Sequence, residues 1–201
     1  VGSPFKQHST VLTPLEMILG FAGKISSGKS TITSRLAETL RWKRASCGDH
    51  VRKVAAARGI PDTRHNLQEL GQNLMSSDVM LFCNSVLKEA NWNQGDSIII
   101  DGIRHKEAVE TFRSLGSPSR FGLVFLDLNN SELEIRRAKN LSRVPDHEAD
   151  KHRSEHQILD DSLKDGADLV LDGTLHINAQ IDEVLGWLET QGALPNSSPR
   201  P

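Results

Sequence analysis

The sequence lacks any apolar run approaching the roughly eighteen residues that a membrane span requires, and its beginning lacks the apolar stretch of a secretory leader. Only two cysteines, Cys47 and Cys83, occur in 201 residues. That is too few for a disulfide framework and is the pattern of a reduced intracellular chain. An excess of one charge sign is missing too: the formal net charge is −2, so no global basic field draws the chain toward nucleic acid or an anionic membrane. No internal repeat is visible. What remains is ordinary for a globular protein, with 37% hydrophobic and 25% charged residues, and the length suits one compact domain. A cytoplasmic protein is expected. Its positive charge is local, in Arg41, Lys43 and Arg44, in Arg52 and Lys53, and in Arg136 and Arg137, which suits a small anionic ligand better than a long polyanion.

Residues 1–14 show no periodicity and carry two prolines, which predicts a flexible arm. Residues 192–201 are rich in proline and serine and read as a disordered tail or linker. Between them, at 15–191, short apolar runs alternate with helical patterns. Strands are expected at 16–22, 44–47, 97–100, 121–128 and 167–171. Helices are expected at 29–41, 49–58, 63–90, 106–115, 131–141 and 177–190. Several of the strand runs are apolar at successive positions, as in strands buried on both faces of a parallel sheet. The fold class expected is therefore α/β, a three-layer sandwich with a five-stranded parallel sheet.

Gly23-Lys24-Ile25-Ser26-Ser27-Gly28-Lys29-Ser30 fits the phosphate-loop pattern G-x-x-x-x-G-K-[ST] without a gap, after an apolar strand and before a helix. Such a loop turns its N–H groups toward phosphates, and the helix that follows presents its positive dipole end. Gly23, Ser26, Ser27, Gly28, Lys29, Ser30 and Thr31 are the expected ATP contacts. Lys29 reaches the terminal phosphates and the Ser30 hydroxyl meets a magnesium ion. The motif by itself implies a nucleoside triphosphate and does not choose among kinase, GTPase, motor and transporter subunit.

Two further segments carry a resemblance. Cys47-Gly48-Asp49-His50-Val51-Arg52 is similar to the T-G-D-x-x-R segment of adenylate kinase and its relatives, and Asp101-Gly102-Ile103-Arg104 resembles their D-G-x-P-R without the proline. The chain thus resembles the nucleoside monophosphate kinases, and in its last strand and turn (Ala167 to Leu175) also the dephospho-CoA kinases. The resemblance implies ATP- and Mg2+-dependent phosphoryl transfer to a (deoxy)nucleoside monophosphate. It makes Arg52 and Arg104 ligands of the acceptor phosphate, Asp101 the acid that orients the magnesium shell, and Arg136 a lid-side arginine at the transferring group. It sets Gly173 and Thr174 against the adenine, and an acceptor region at about 47–92 with a lid at about 140–161. Cys47 and Asp49 join the acceptor contacts by position, and Gln68 and Gln72 supply polar groups for the acceptor base. Lys29, Arg52, Arg104 and Arg136 make up the catalytic set.

The pattern departs from that family in places. Ala108 stands where adenylate kinases place a glutamine for the acceptor base, and Asn140 stands where a second lid arginine is expected. Arg143 or Arg153 could take that second place. His147, His152 and His156 read as polar lid surface. Three alternatives remain at this point: a small P-loop kinase with another acceptor such as dephospho-CoA, a kinase acting on a modified base in DNA, and a non-catalytic nucleotide sensor.

Overall fold

In the computed structural model, which describes residues 15–139 and 162–195, the apolar runs assemble edge to edge. β1 (Met17–Gly23) lies at the centre, and every one of its residues is buried. β3 (Ile98–Ile103) pairs with it on one side, Leu19 opposite Ile99, and β4 (Arg120–Asp127) on the other, Leu19 opposite Gly122. β2 (Lys43–Ser46) and β5 (Leu169–Asp172) complete the edges. The order is β2-β3-β1-β4-β5, and all pairings are parallel.

Alternate residues of β1 serve opposite layers, because side chains along a strand alternate between faces. Ile18 packs with Ile98, Ile100, Phe112 and Val86. Leu19 and Phe21 pack on the other face with Ile32, Leu36, Val184 and Leu188. The first layer is covered by α2 (Cys47–Ala57), α3 (Arg64–Ser77), α4 (Val79–Glu89) and α5 (Lys106–Gly116). The second is covered by α1 (Lys29–Leu40) and α7 (Ile177–Thr190). Fully burying one such side chain is worth about 1.5–3 kcal/mol, so both faces contribute heavily. This is the expected three-layer sandwich. Among the described residues, no helix is long and apolar enough to cross a membrane.

One helix expected over 63–90 is instead two. Asp78 ends α3 and begins α4 in an extended conformation (φ −163°, ψ 93°), and its carboxylate accepts the Leu81 N–H at 2.8 Å. Aspartate competes with the backbone of a helix interior in this way and is favoured at an N-cap. The resulting corner lets α3 stand beside α2, with Gly71 against Val51, while α4 returns along the sheet. At the other end of the chain the order runs past the boundary expected at 192. The Leu15 N–H donates to Gly192 O at 2.9 Å, and Ala193 is buried with the second layer.

The connection after β1 leads toward β2, and the one after β4 leads the opposite way, to β5. The carboxyl ends of β1 and β4 thus border a topological switch point, the place where open α/β sheets leave a crevice. The phosphate loop follows β1 there. α6 (Asn130–Lys139) follows β4 and leads into the expected lid. That lid, at 140–161 with Arg143, Arg153 and the three histidines, lies outside the described residues, as does the expected arm at 1–14.

Candidate active site

At the end of β1 the chain passes so close to β4 that a Cβ on Gly23 would sit 2.5 Å from Leu126 O, and Gly23 adopts φ 130°. Only glycine takes both conditions without strain. Ser26 turns through φ 68° and Gly28 caps α1 with φ 106°. Lys29 then folds inward. Its ammonium donates to Gly23 O and Lys24 O, both at 2.6 Å, and to the Ser27 hydroxyl at 3.3 Å, and the residue is 9% exposed. A buried cation needs partners of this kind. A phosphate lying over the loop would compete with those oxygens for the three ammonium protons. The Ser30 and Thr31 side chains face solvent at the first turn of α1.

Arg136, from α6, reaches back over the loop. One terminal nitrogen donates to Ser27 O at 2.7 Å and the other to Gly173 O at 2.6 Å. It therefore fastens the phosphate loop to the turn after β5. That turn is tight. The Gly173 N–H donates to Asp127 O at 2.6 Å, and the Thr174 N–H and hydroxyl both donate to Asp172 Oδ1, at 2.8 and 2.7 Å. These bonds from Thr174, the side-chain one first, hold the Asp172 carboxyl below its usual range. Lys24 donates to Asn130 Oδ1 at 3.1 Å and ties the loop to the start of α6. Where the chain re-enters the described residues, Lys164 pairs with Asp127 at 2.7 Å and Leu163 is buried in the first layer.

The end of β3 carries a bulge. Asp101 pairs with Phe21 and Ile103 with Ala22, which leaves Gly102 as the extra residue, at φ 84°. Bulges re-aim the residues beside them. Asp101 is 4% exposed, and its Oδ2 accepts from Arg44 at 2.6 Å. Arg44 lies on β2 and also donates from Nε to the Thr33 hydroxyl at 3.0 Å, while Thr33 donates to Ser30 O at 3.2 Å. The Ser30 hydroxyl and the Asp101 carboxylate are hard oxygen donors. That is the chemistry magnesium takes from a protein when phosphates and water supply its other ligands, so these residues fit the ion.

Tertiary pairing brings the start of α2, the expected acceptor segment, beside the end of β3. Ser46 lies opposite Asp101 in the register, and a Cβ on Gly102 would come within 4.0 Å of Gly48 N. The Cys47 thiol is pushed up above the ordinary range by burial, then by the proximity of Cys83 and Asp101, with Arg104 opposing. Cys47 itself is buried with the first layer at the start of α2. Burial likewise pushes Cys83 up to about 12. Asp49 accepts from Arg52 at 2.8 Å, both well exposed, and Arg104 is exposed. The Ser46 hydroxyl caps α2 by accepting the Asp49 N–H at 3.1 Å. On α3, Gln68 is half-buried, whereas Gln72 is exposed and its amide donates to the Ser76 hydroxyl at 3.4 Å.

Arg44 and Thr33 were missed as site residues in the sequence, where Arg44 counted only as local positive charge. One signal for them was present. An aspartate at the end of a buried apolar strand needs a cation or several donors beside it, and Arg44 lies in the short strand next to it.

A parallel five-stranded sheet, a phosphate loop after its central strand, and basic residues gathered at its carboxyl edge define a P-loop protein with the fold of the small kinases. The chain belongs to the AAA domain family, whose pattern matches residues 19–160. Its fold is similar to that of shikimate kinase from Aquifex aeolicus (TM-score 0.56, 17% identity, 87% of this chain and 98% of that one). It is also similar to a gluconokinase from Sinorhizobium meliloti (TM-score 0.52, 14% identity, 89% and 94%). Among curated proteins it is similar to the UPF0200 protein of Methanothrix thermoacetophila, 33% identical over 111 residues, 53% of this chain and 57% of that one. The UPF0200 protein of Thermococcus onnurineus is also 33% identical, over 106 residues, 49% and 54%. The chain spans little more than half the length of these curated relatives.

Proposed function

We propose that this protein transfers the terminal phosphoryl group of ATP to a small acceptor that carries a phosphate, a (deoxy)nucleoside monophosphate being the acceptor its segments resemble. The observation that carries this reading is that the phosphate loop with Lys29 follows β1 at the switch point, while Asp101 ends the neighbouring β3 and the Gly48 segment with Arg52 lies against Gly102. The domain proposed for this activity is the stretch expected at 15–191.

Phosphoryl transfer makes modest chemical demands on a protein, because catalysis is mostly positioning and charge stabilisation. Lys29 exchanges its loop carbonyls for the terminal phosphates. Backbone N–H groups from Gly23 to Thr31 cradle the phosphate chain, and the turn at Gly173 and Thr174 borders the base. Arg136 lies between those two regions and reaches the transferring group by leaving Ser27 O. Ser30 and Asp101 would hold magnesium, which supplies charge neutralisation on the phosphates. Arg104 and Arg52 grip the acceptor as planar, permanently charged forks suited to phosphate. Arg52 becomes available at small cost, because an exposed pair like Arg52–Asp49 is worth about 0–1 kcal/mol. Gln68 and Gln72 flank the acceptor side, where the base would be read.

A second reading deserves a place in the test because guanidinium forks also bind carboxylates, and the fold neighbours are called shikimate kinase and gluconokinase. A hydroxyl acceptor must lose a proton, whereas an ionised phosphate need not. Asp101 is buried and held by Arg44, whereas the Asp49–Arg52 pair is exposed and opens at small cost, so Asp49 is the carboxylate proposed to take such a proton. The decisive experiment mixes the protein, ATP and magnesium singly with each ribo- and deoxyribonucleoside monophosphate, dephospho-CoA, shikimate and gluconate, and follows ADP. Acceptor-dependent ADP with a nucleoside monophosphate, preserved in Asp49→Asn, supports the first reading. ADP with a hydroxyl acceptor, abolished in Asp49→Asn, replaces it with the second. ATP binding with no transfer to any acceptor leaves a nucleotide sensor.

A further inference from the structure

We propose that Arg44 is a positioning residue that sets the two magnesium-facing groups, Ser30 and Asp101, at a fixed separation, and that nucleotide binding depends on it only when magnesium is present. The proposal rests on the phosphotransferase reading above. Its geometry is a continuous hydrogen-bonded chain across three elements. Arg44 NH2 holds Asp101 Oδ2 at 2.6 Å, Arg44 Nε holds the Thr33 hydroxyl at 3.0 Å, and that hydroxyl donates to Ser30 O at 3.2 Å. α1 follows β1, which pairs with β3 as far as Ile103, so the main chain already brings α1 near the end of β3. The guanidinium adds a direct polar link between Thr33 of α1 and Asp101.

Burial gives the chain its rigidity. Thr33 is 0% and Asp101 4% exposed, and Arg44 is a quarter exposed, its side chain lying inward from the sheet edge. A hydrogen bond to a charged group in such surroundings is stronger and shorter than a neutral one. A planar guanidinium donates from two edges at once at a fixed angle, and a lysine ammonium at this position would lack that span. Groups that orient a ligand from behind commonly change metal affinity about 10–100-fold when removed. A purely structural partner of a buried aspartate would serve Asp101 alone. Arg44 also reaches the first turn of α1, through the buried Thr33 hydroxyl, which donates to the Ser30 carbonyl.

The test is equilibrium binding of a fluorescent ATP analogue to the full chain, with no acceptor, in magnesium and in excess EDTA. In the wild type the affinity is higher with magnesium. Arg44→Met should lower that magnesium-linked gain about 10-fold and leave the EDTA affinity within about twofold. Arg44→Lys should recover only part of the gain. In an Asp101→Asn background, Arg44→Met should add little further loss, because its partner is already gone. Thr33→Val, which cuts the link to α1 and spares the ion pair, should lower the gain about 3-fold, a smaller share of the same effect. Thermal melts accompany each variant, and if Arg44→Met does not fold, Arg44→Lys and Thr33→Val decide the matter. Equal loss with and without magnesium would overturn the proposal, as would an undiminished effect of Arg44→Met in the Asp101→Asn background or no effect at all. A wild type whose nucleotide binding ignores magnesium would overturn both this and the phosphotransferase reading. Magnesium-linked binding without ADP formation from any acceptor would remove that reading alone, and the variants would still judge Arg44.

Discussion

Lys29 is 9% exposed and lies 2.6 Å from two main-chain oxygens, while Arg52 is about half exposed and holds one carboxylate a turn away on its own helix. The same contrast runs through the two sides of the site. On the phosphate-loop side, Arg136 bridges two carbonyls, Gly173 is pinned to Asp127, and Gly23 touches the backbone of β4. On the proposed acceptor side, Arg104 and Gln72 are exposed, and the helices meet the sheet through side chains such as Val51, Leu70 and Phe82. A site built from main chain is rigid and takes the one chemical group, phosphate, that fits its N–H array. A site built from exposed side chains can be altered residue by residue, and so is suited to setting which acceptor is used.

The sharpest way to test that contrast is to remove its best-held cation. Lys29→Ala should lower turnover by about 100–1000-fold, the loss expected when a preorganised charge donor is removed, and steady-state ADP production measures it. A loss under about 10-fold would place the lysine outside the transferring-phosphate contacts. Gly23→Ala comes next. A Cβ 2.5 Å from Leu126 O, at φ 130°, should cost about 1–3 kcal/mol of folding stability, read by chemical denaturation, and should weaken ATP binding as the loop shifts. On the acceptor side, Arg104→Ala should raise the acceptor KM about 10–100-fold, in line with about 1.5–3 kcal/mol for a charged hydrogen bond. ATP affinity should hold, and an equal fall in both would erase the distinction between the two sides.

The smallest effect concerns the anchor of α2. His50 is buried against Phe82 and its Nδ1 lies 3.0 Å from Glu89, which also accepts from Lys53 at 3.2 Å. Partial burial raises the Glu89 pKa, but the hydrogen bonds and charges of His50 and Lys53 outweigh it and hold the carboxyl below its ordinary 4.5. A carboxyl depressed in the folded state contributes stability above its unfolded pKa, and that contribution is lost as pH falls through the folded one. The wild type should therefore lose melting temperature as pH drops below about 4.5, and Glu89→Gln should flatten that part of the curve. An unchanged curve would mean the pair does not anchor the acceptor side.

Much of the fold was legible in the residues. The runs at β1, β3 and β4 are apolar at nearly every position because those strands are buried on both faces, whereas the edge strands β2 and β5 are only partly buried. The break at Asp78 was not, because apolar spacing continues from Leu70 and Met75 into Phe82 and Val86, and only the carboxylate's bond to the Leu81 N–H reveals the corner. The phosphate loop was legible for a related reason: a turn made of backbone leaves its glycines at fixed spacing. The burial of Cys47 was not legible, since one residue at the start of a helix can lie at the surface or in the core, and only the packing against the first layer decides which.

By itself, the sequence determined a parallel α/β fold, a phosphate-binding loop and the lysine within it, because local spacing and apolar patterning act along the chain. Tertiary structure alone decided that Arg44 joins Asp101 across 57 positions and that Arg136 spans the loop and the Gly173 turn. Those contacts depend on which strands become neighbours. That is set by the packing of two whole layers, and no short stretch of residues carries it.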